Sequence, residues 1–336
     1  MTKNSYLTIA DIARMANVSK STVSRALKDS SLIGTETKER IQEIARKNNF
    51  YLNAVAQSLS LQKTNTIAYV THCFYADNSV ADLFNFEIMS GITAALNARG
   101  YDLLMLQVDP HQNDWVRRYL EGSRVDGFIL MTNSSKQSHI RTLLEAEAPF
   151  VMWGVPWPNL HCPSVTGDNL NGGKLATRYL IESGRQKIGF IAGPVDQIEV
   201  QRRYEGYEME LQRAGRTVDQ RLVINSDYSM TAGARGLEEM LQKVPDLDAV
   251  VVCSDLMAIA VMEAIRRHGR RVPEDVAVIG YDNLSIAALA NPPLTTVSQH
   301  VSQAGGLLAE TLLQYIQTGN VTNVTVPVEL IKRQSA

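Results

Sequence analysis

Residues 8–27 read TIADIARMANVSKSTVSRAL, and the spacing within them decides how the start of the chain folds. Ile9, Ile12, Ala13 and Ala16 recur at intervals that put apolar side chains on one helical face. Thr8 stands where an N-cap belongs and Asp11 follows three positions on, in the manner of a capping box. Asn17 and Val18 make a tight turn, and Ser19 caps a second helix whose Val23 and Leu27 turn inward. A third helix, capped near Thr35 or Thr37, brings Ile41, Ile44 and Ala45 to the same core. Three short helices of this kind predict a helix-turn-helix domain over residues 1–52. In that geometry the second helix enters the major groove, so Lys20, Ser21 and Arg25 are the candidate base readers. Thr8, Ser19, Thr22 and Ser24 offer hydroxyls to phosphates, which fix register without reading sequence. Taken alone, the spacing also fits a solvated face on a protein-binding helical domain.

Charge distribution favours the first reading. The 336-residue chain carries a net charge of −2, which by itself argues against a nucleic-acid binder. Residues 1–63, however, hold ten Lys and Arg against five Asp and Glu, so the excess negative charge lies in the remainder. A small basic module on an acidic body lets only one end approach phosphates. No run of eighteen apolar residues exists and the N-terminus lacks a signal-peptide pattern, so the expected location is the cytoplasm. Cys73, Cys162 and Cys253 are far apart and form no metal-ligand spacing, which suits free thiols in a reducing compartment.

Beyond residue 64 the pattern changes to short apolar runs separated by amphipathic stretches. Runs at 66–71, 102–108, 127–131 and 149–154 alternate with stretches such as 83–100 and 114–123. The alternation restarts with 187–193, 222–227, 249–254 and 276–282, separated by helices near 169–184, 199–215, 229–243 and 256–269. Two such series imply an α/β domain of two lobes, each a doubly wound parallel sheet, with ligands bound where the strands end. Arg203 near a helix start, Asp282 at a strand end, and the flat faces of Tyr228, Trp153 and Trp157 suit hydroxyl groups and the C–H face of a sugar. Arg203 also has a structural alternative, pairing with Glu199 or Glu205.

The chain lacks G-x-S-x-G, H-E-x-x-H, a P-loop and a G-x-G-x-x-G after a strand. Ser60 and Lys63 fit S-x-x-K without its companion motifs, and Asn171-Gly-Gly-Lys174 suits either a phosphate or close helix packing. An α/β enzyme and a secreted sugar-binding protein are therefore the weaker readings. No cofactor and no metal site are expected.

Val18-Ser-Lys-Ser-Thr-Val-Ser-Arg25 and Asn53-Ala-Val-Ala-Gln-Ser-Leu59 strongly resemble the lactose-repressor and galactose-repressor (LacI/GalR) family of transcriptional regulators. The resemblance continues through Gly193-Pro194, Asp255-x-x-Ala258, Val272-Pro-Glu-Asp275, Gly280-Tyr-Asp282, Pro292-Pro-Leu-Thr-Thr296 and Gln299, as far as Arg333. It implies a hinge over residues 53–64, with Asn53 to Leu59 folding on the operator, Leu59 as a minor-groove wedge and Ala56 its small neighbour. It implies a periplasmic-binding-protein-like effector domain over 65–333, with one lobe at about 65–163 and 296–325 and the other at about 164–295 and 326–333. Arg203 and Asp282 match the family's main ligands for effector hydroxyls, Tyr228 its stacking aromatic and Gln299 a polar cleft position. Ser254 stands where asparagine is usual, Gly154 where an acid is frequent, Leu52 where many members have proline and Gly34 where many have a hydroxyl residue. His72 is a further cleft candidate.

The function so implied is a sequence-specific repressor of a carbohydrate-utilisation operon, released from double-stranded operator DNA by a small sugar or glycoside. A corepressor of purine-like or other non-sugar chemistry is the alternative. The expected assembly is a homodimer, because two recognition helices must meet successive major grooves, and no membrane partner is expected; the sequence after the last strand leaves no room for a leucine-heptad tail that would join dimers into tetramers.

Overall fold

The computed structural model describes residues 7–50, 63–71, 82–108, 114–131, 137–156 and 161–336. The chain divides into two compact units between Thr64 and Asn65.

In the first unit, helix α1 (Ile9–Ala16) opens at Thr8, whose N–H and hydroxyl both donate to the Asp11 carboxylate, at 2.9 and 2.6 Å. It stops at Asn17, whose left-handed backbone (φ 51°) turns the chain out of the helix. Ser19 then caps α2 (Lys20–Leu27), its Oγ accepting from the Thr22 N–H at 3.1 Å. Helix α3 (Thr35–Lys47) begins at Gly34 instead of being capped at Thr35 or Thr37. The Gly34 carbonyl already accepts from Lys38 N at 3.0 Å, so the backbone enters the helix early and no side chain caps it. Ile12, Ala16, Val23, Ala26 and Ile41 close the core, with Leu27 and Ile44 packed against it. Two side chains of α3 complete the frame. Arg40 donates to the Ala16 carbonyl and Gln42 to the Ala26 carbonyl, each at 3.2 Å, tying α3 to the C-terminal ends of α1 and α2.

The second unit contains β1 (Thr66–Thr71), α4 (Asp82–Asn97), β2 (Asp102–Gln107), α5 (Trp115–Leu120), β3 (Gly127–Met131), α6 (Gln137–Glu145), β4 (Phe150–Trp153), β5 (Ser164–Gly167) and α7 (Asn169–Glu182). It continues with β6 (Ile188–Ile191), α8 (Ile198–Arg213), β7 (Val223–Ile224), α9 (Met230–Lys243), β8 (Ala249–Val252), α10 (Asp255–Arg267) and β9 (Ala277–Asp282). Helix α11 (Ser285–Leu289), β10 (Thr295–Ser298), α12 (Val301–Thr318), β11 (Asn323–Val326) and β12 (Glu329–Ile331) complete it. The strands form two sheets, ordered β11-β5-β4-β3-β1-β2 and β12-β10-β9-β8-β6-β7. Every pairing is parallel except β10 with β12. In each sheet the winding direction reverses beside its first strand, the position outside whose carboxyl ends open α/β sheets generally bind ligands.

Strand pairing places the lobe crossings a few residues from where the sequence puts them. Ser164–Gly167 pairs with β4 and β11, so the chain leaves the first lobe after Gly167, not near 163. Thr295–Ser298 pairs with β9, so the return follows Ser298, not 295. The strand expected at 222–227 shrinks to Val223–Ile224. Side chains take over there: Ser226 Oγ donates to the Ala192 carbonyl at 2.7 Å, and Asp227 accepts from the Ser229 N–H at 2.9 Å.

Helices α7 and α8 cross with backbones nearly touching, because Gly173 and Gly206 present no side chain. A methyl added at Gly173 would sit 2.0 Å from the Arg203 carbonyl oxygen, whereas one at Gly306 on α12 meets nothing nearer than 3.9 Å. Overpacking of a close helix contact costs on the order of 1–3 kcal/mol. Gly173→Ala is therefore expected to lower the thermal midpoint of the effector domain, while Gly306→Ala leaves it unchanged or raises it. Calorimetry on both variants checks the pair; equal midpoints would contradict the packing.

Candidate functional sites: an operator-reading helix and an interlobe cleft

On α2, Lys20, Ser21 and Arg25 are exposed, while Val23 and Ala26 are buried in the core. The helix thus turns one face to its own domain and offers the other to a partner. Thr22 and Ser24 are half-buried at the edge of that face. The Ser19 hydroxyl lies within 2.8 Å of the Thr22 hydroxyl and caps the helix, while the Thr8 hydroxyl is held by Asp11. Asn53, Ala56, Leu59, His72 and Trp157 lie outside the described residues.

In the effector domain the carboxyl ends of the strands bring Arg203, Tyr228, Ser254, Asp282 and Gln299 into one polar neighbourhood. Arg203 is 6% exposed. Its Nε donates to Asn169 Oδ1 at 2.8 Å and its Nη1 to the Cys253 carbonyl at 2.7 Å, and the guanidinium lies 3.7 Å over the Tyr281 ring. Nη2 makes no hydrogen bond among the described residues. Neither acid offered by the sequence pairs with Arg203: Glu199 accepts from the Val155 N–H and Glu205 holds Arg202.

Asp282 is 7% exposed, and its Oδ1 accepts from the Gln299 amide at 2.6 Å. Its backbone stands at φ 110° and that of Asn283 at φ 56°, conformations side chains rarely adopt and functional sites often retain. Burial pushes the Asp282 carboxyl up to about 7, against the opposing pull of the Arg203 guanidinium and the Gln299 amide. Asp255 lies beside it with no exposure. Burial and then the Asp282 charge hold its carboxyl well above the usual range, although Thr296 Oγ1 and the Leu284 N–H both donate to it.

Tyr228 lies against Gly193 and donates to Gln197 Oε1 at 3.1 Å. Ser254 caps α10 by accepting from Met257 N at 3.3 Å. Trp153 is 8% exposed and packs at 6.0 Å from the Phe84 ring, in an apolar cluster that also contains Leu256 and Leu284 of the second lobe. That cluster leaves little of its ring as an open stacking face. Asn171-Gly-Gly-Lys174 serves helix packing, with Gly172 under the Tyr281 ring and Gly173 under α8.

Sequence reasoning missed Asn169 and Glu87, and offered Glu199 only as a partner for Arg203. Asn169 meets Arg203, Glu87 on α4 accepts from the Ser285 N–H and hydroxyl at 2.7 and 2.8 Å, and Glu199 reaches Val155 at 2.7 Å. The last two contacts tie one lobe to the other. Their partners are distant in sequence and no spacing rule relates them.

Two family models match the chain. Residues 8–53 fit the model described as bacterial regulatory proteins, lacI family, and residues 177–336 fit a periplasmic binding protein-like domain. The HTH-type transcriptional regulator CelR of Thermobifida fusca is 34% identical over 330 residues, covering 96% of this chain and 95% of the relative. The chain belongs to the lacI family. It is a transcriptional repressor of that family, with a helix-turn-helix that binds operator DNA, and it is not an enzyme. The ribose operon repressor of Haemophilus influenzae is 31% identical, covering 96% of each chain. The repressor PurR of Aliivibrio salmonicida is 32% identical, covering 92% of each. Among solved structures, a CelR–cellobiose complex superposes with a TM-score of 0.75 at 32% identity, covering 98% of this chain and all of that one. A lac repressor dimer bound to operator and the anti-inducer ONPF superposes at 0.83 with 26% identity, covering 98% and 99%. Among the described residues, no helix is long and apolar enough to cross a membrane.

Within this family architecture the exposed face of α2 is the candidate face for base edges. Arg25→Ala is expected to cost on the order of 1–3 kcal/mol of operator affinity and to relax discrimination at one base position. Thr22→Ala should weaken all sequences alike. Gel shifts on an operator and its single-base variants measure both, and unchanged specific affinity in Arg25→Ala removes Arg25 from the reading face.

Proposed function

We propose that this repressor acts in the cytoplasm as a homodimer on the operator of a carbohydrate-utilisation operon, and that a neutral sugar or short glycoside between its lobes releases it. The observation that carries this reading is the pair formed by Arg203 and Asp282. Each is nearly buried and held by its neighbours, yet among the described residues Nη2 on one donates no hydrogen bond and Oδ2 on the other accepts none. A charged donor and a charged acceptor held apart suit vicinal hydroxyls. Tyr228 supplies an aromatic face nearby, and Ser254 a hydroxyl. A relative solved with cellobiose supports this ligand class.

The homodimer reading rests on the dimeric lac repressor that this chain resembles and on a groove that a second copy could cover. A groove between α9 and α10 is lined by Met230, Ala234, Arg235, Glu238, Glu263 and Arg267, apolar at its floor with both charge signs on its rims.

A thermal-shift panel of monosaccharides, disaccharides beginning with cellobiose, nucleobases and sugar phosphates, followed by operator titration with each hit, tests the reading. Release by a sugar is expected; a nucleobase that tightens operator binding as the only hit would replace it with a corepressor. Losing one charged partner costs roughly 1.5–3 kcal/mol of ligand binding. Arg203→Ala and Asp282→Ala should therefore each lose the response and keep operator binding, and a wild-type response in either discards this pocket.

The raised carboxyl of Asp282 gives the response a pH dependence. A folded value of about 7 against 3.8 means that Asp282 favours the folded state fully at low pH and loses that contribution as pH rises through 7. A ligand that donates hydroxyls to the carboxylate prefers its ionised form. Its affinity should hold above pH 7 and fall below it, by at most about tenfold per unit. Calorimetric titration from pH 5.5 to 8.5 shows this slope in the wild type and none in Asp282→Asn; equal slopes in both would remove Asp282 as its source.

A further inference from the structure

We propose that Asn169 is a positioning residue that joins the effector cleft to the lobe crossings. The inference rests on the cleft reading above and adds a residue to it. Asn169 is the first residue of α7, only 3% exposed, and its carboxamide faces two ways. Its oxygen accepts from Arg203 Nε at 2.8 Å, while its nitrogen donates to the Gly167 carbonyl at 2.9 Å and approaches Thr166 Oγ1 at 3.3 Å. The opposite amide orientation would set an N–H against a guanidinium that can only donate, so chemistry fixes which end points where.

Gly167 is where the paths between the lobes converge. It ends β5, the last residue before the first crossing. Val326 pairs with it on β11, just before the third crossing, and its carbonyl accepts from Asp168 N at 3.0 Å. Gln299, at the second crossing, lies so close that a methyl on Gly167 would stand 2.5 Å from its Oε1. The same Gln299 donates to Asp282, and its buried Oε1 has no hydrogen-bond partner among the described residues. Both charged groups of the cleft thus reach Gly167 through one side chain each, Arg203 through Asn169 and Asp282 through Gln299. Asn169 carries the link made entirely of hydrogen bonds. When the lobes rotate, the Gly167 carbonyl moves relative to α7, and one carboxamide cannot keep both bonds without carrying Arg203 with it. A ligand that holds Arg203 then favours one rotation over the other.

Two substitutions separate the two bonds. Asn169→Asp keeps an acceptor for Arg203 and turns an oxygen toward the Gly167 carbonyl; Asn169→Ala removes both bonds. The full-length protein is read by the nitrogen-15 signal of the Arg203 Nε–H, by operator affinity alone, and by operator affinity with cellobiose or another sugar from the panel. For Asn169→Asp, the Arg203 signal should stay protected from exchange and sugar affinity should stay near wild type. The ratio of operator affinities without and with sugar should nevertheless fall about tenfold, within the usual range of coupling between sites. Asn169→Ala should lose the protected signal as well as the coupling. A merely structural role would lower the thermal midpoint and leave the ratio intact.

The inference is overturned if Arg203 Nε–H protection survives in Asn169→Ala, or if both variants keep the wild-type ratio. The Arg203 signal needs no ligand, so it decides even when no sugar in the panel binds. Arg203→Ala is the control for the cleft itself. If it binds sugar normally, the pocket reading fails, and the Asn169 result stands or falls on the signal alone.

Discussion

Burying the Arg203 guanidinium constrains more of the effector domain than any other contact, because a desolvated cation needs its donors met and its charge balanced. Asn169 and the Cys253 carbonyl meet two donor positions, and the Tyr281 ring supplies a polarisable face. Each partner has its own structural precondition. Asn169 must open α7, Cys253 must end the strand run that becomes α10, and Tyr281 must sit one residue before the strained Asp282. Arg203 itself sits where α8 crosses α7, at a distance only Gly173 permits. The glycines that look like a phosphate motif in sequence are there for this crossing.

Opposite Arg203 stand two carboxyls that cannot both ionise without strong repulsion in a dry site. Asp255 and Asp282 are coupled, and burial raises both. Asp255 is enclosed by Thr296 and the Leu284 backbone, which makes it a structural acid under the floor of the cleft. Among the described residues, Asp282 keeps one oxygen uncommitted. The positive φ at Asp282 and Asn283 turns the chain sharply there. Arg333 holds that bend from the C-terminal segment, donating to Asn283 Oδ1 and to the Leu294 carbonyl at 2.7 Å each.

What the sequence made legible and what it hid follow the range of the forces involved. The helix-turn-helix is written locally: Thr8 with Asp11, Asn17 at the turn and Ser19 with Thr22 all act within four residues. The alternation of strands and helices is likewise a near-neighbour pattern. Ser164–Gly167 escaped it because Ser-Val-Thr-Gly has one large apolar side chain, and its place inside a sheet is set by β4 and β11, the latter about 160 residues away. The lobe boundaries moved for the same reason. Family motifs named Arg203 and Asp282 as the proposed effector ligands; they did not name Asn169, whose partners are Arg203, 34 positions on, and a backbone carbonyl. The Trp153 ring is largely packed against its neighbours. A tryptophan ending a strand beside a cleft looks like a platform, but Phe84 and the second lobe's Leu256 and Leu284 claim its surface.

The ties between lobes set the scale on which an effector must act. Glu199 accepts one backbone N–H across the cleft and Glu87 accepts an N–H and a hydroxyl, and a hydrogen bond to a charged group contributes about 1.5–3 kcal/mol when sheltered and less when exposed. Moving an equilibrium from one strongly favoured lobe arrangement to the other takes roughly 5.5 kcal/mol of differential affinity. The ties are therefore of a size that two charged hydrogen bonds to a ligand can match. A ligand that binds Arg203 and Asp282 equally well in both arrangements changes nothing, however tightly it binds. Under the proposed reading, the response depends less on total affinity than on how differently the two arrangements present Nη2 and Oδ2, and the proposed link through Asn169 would set that difference at the crossings around Gly167.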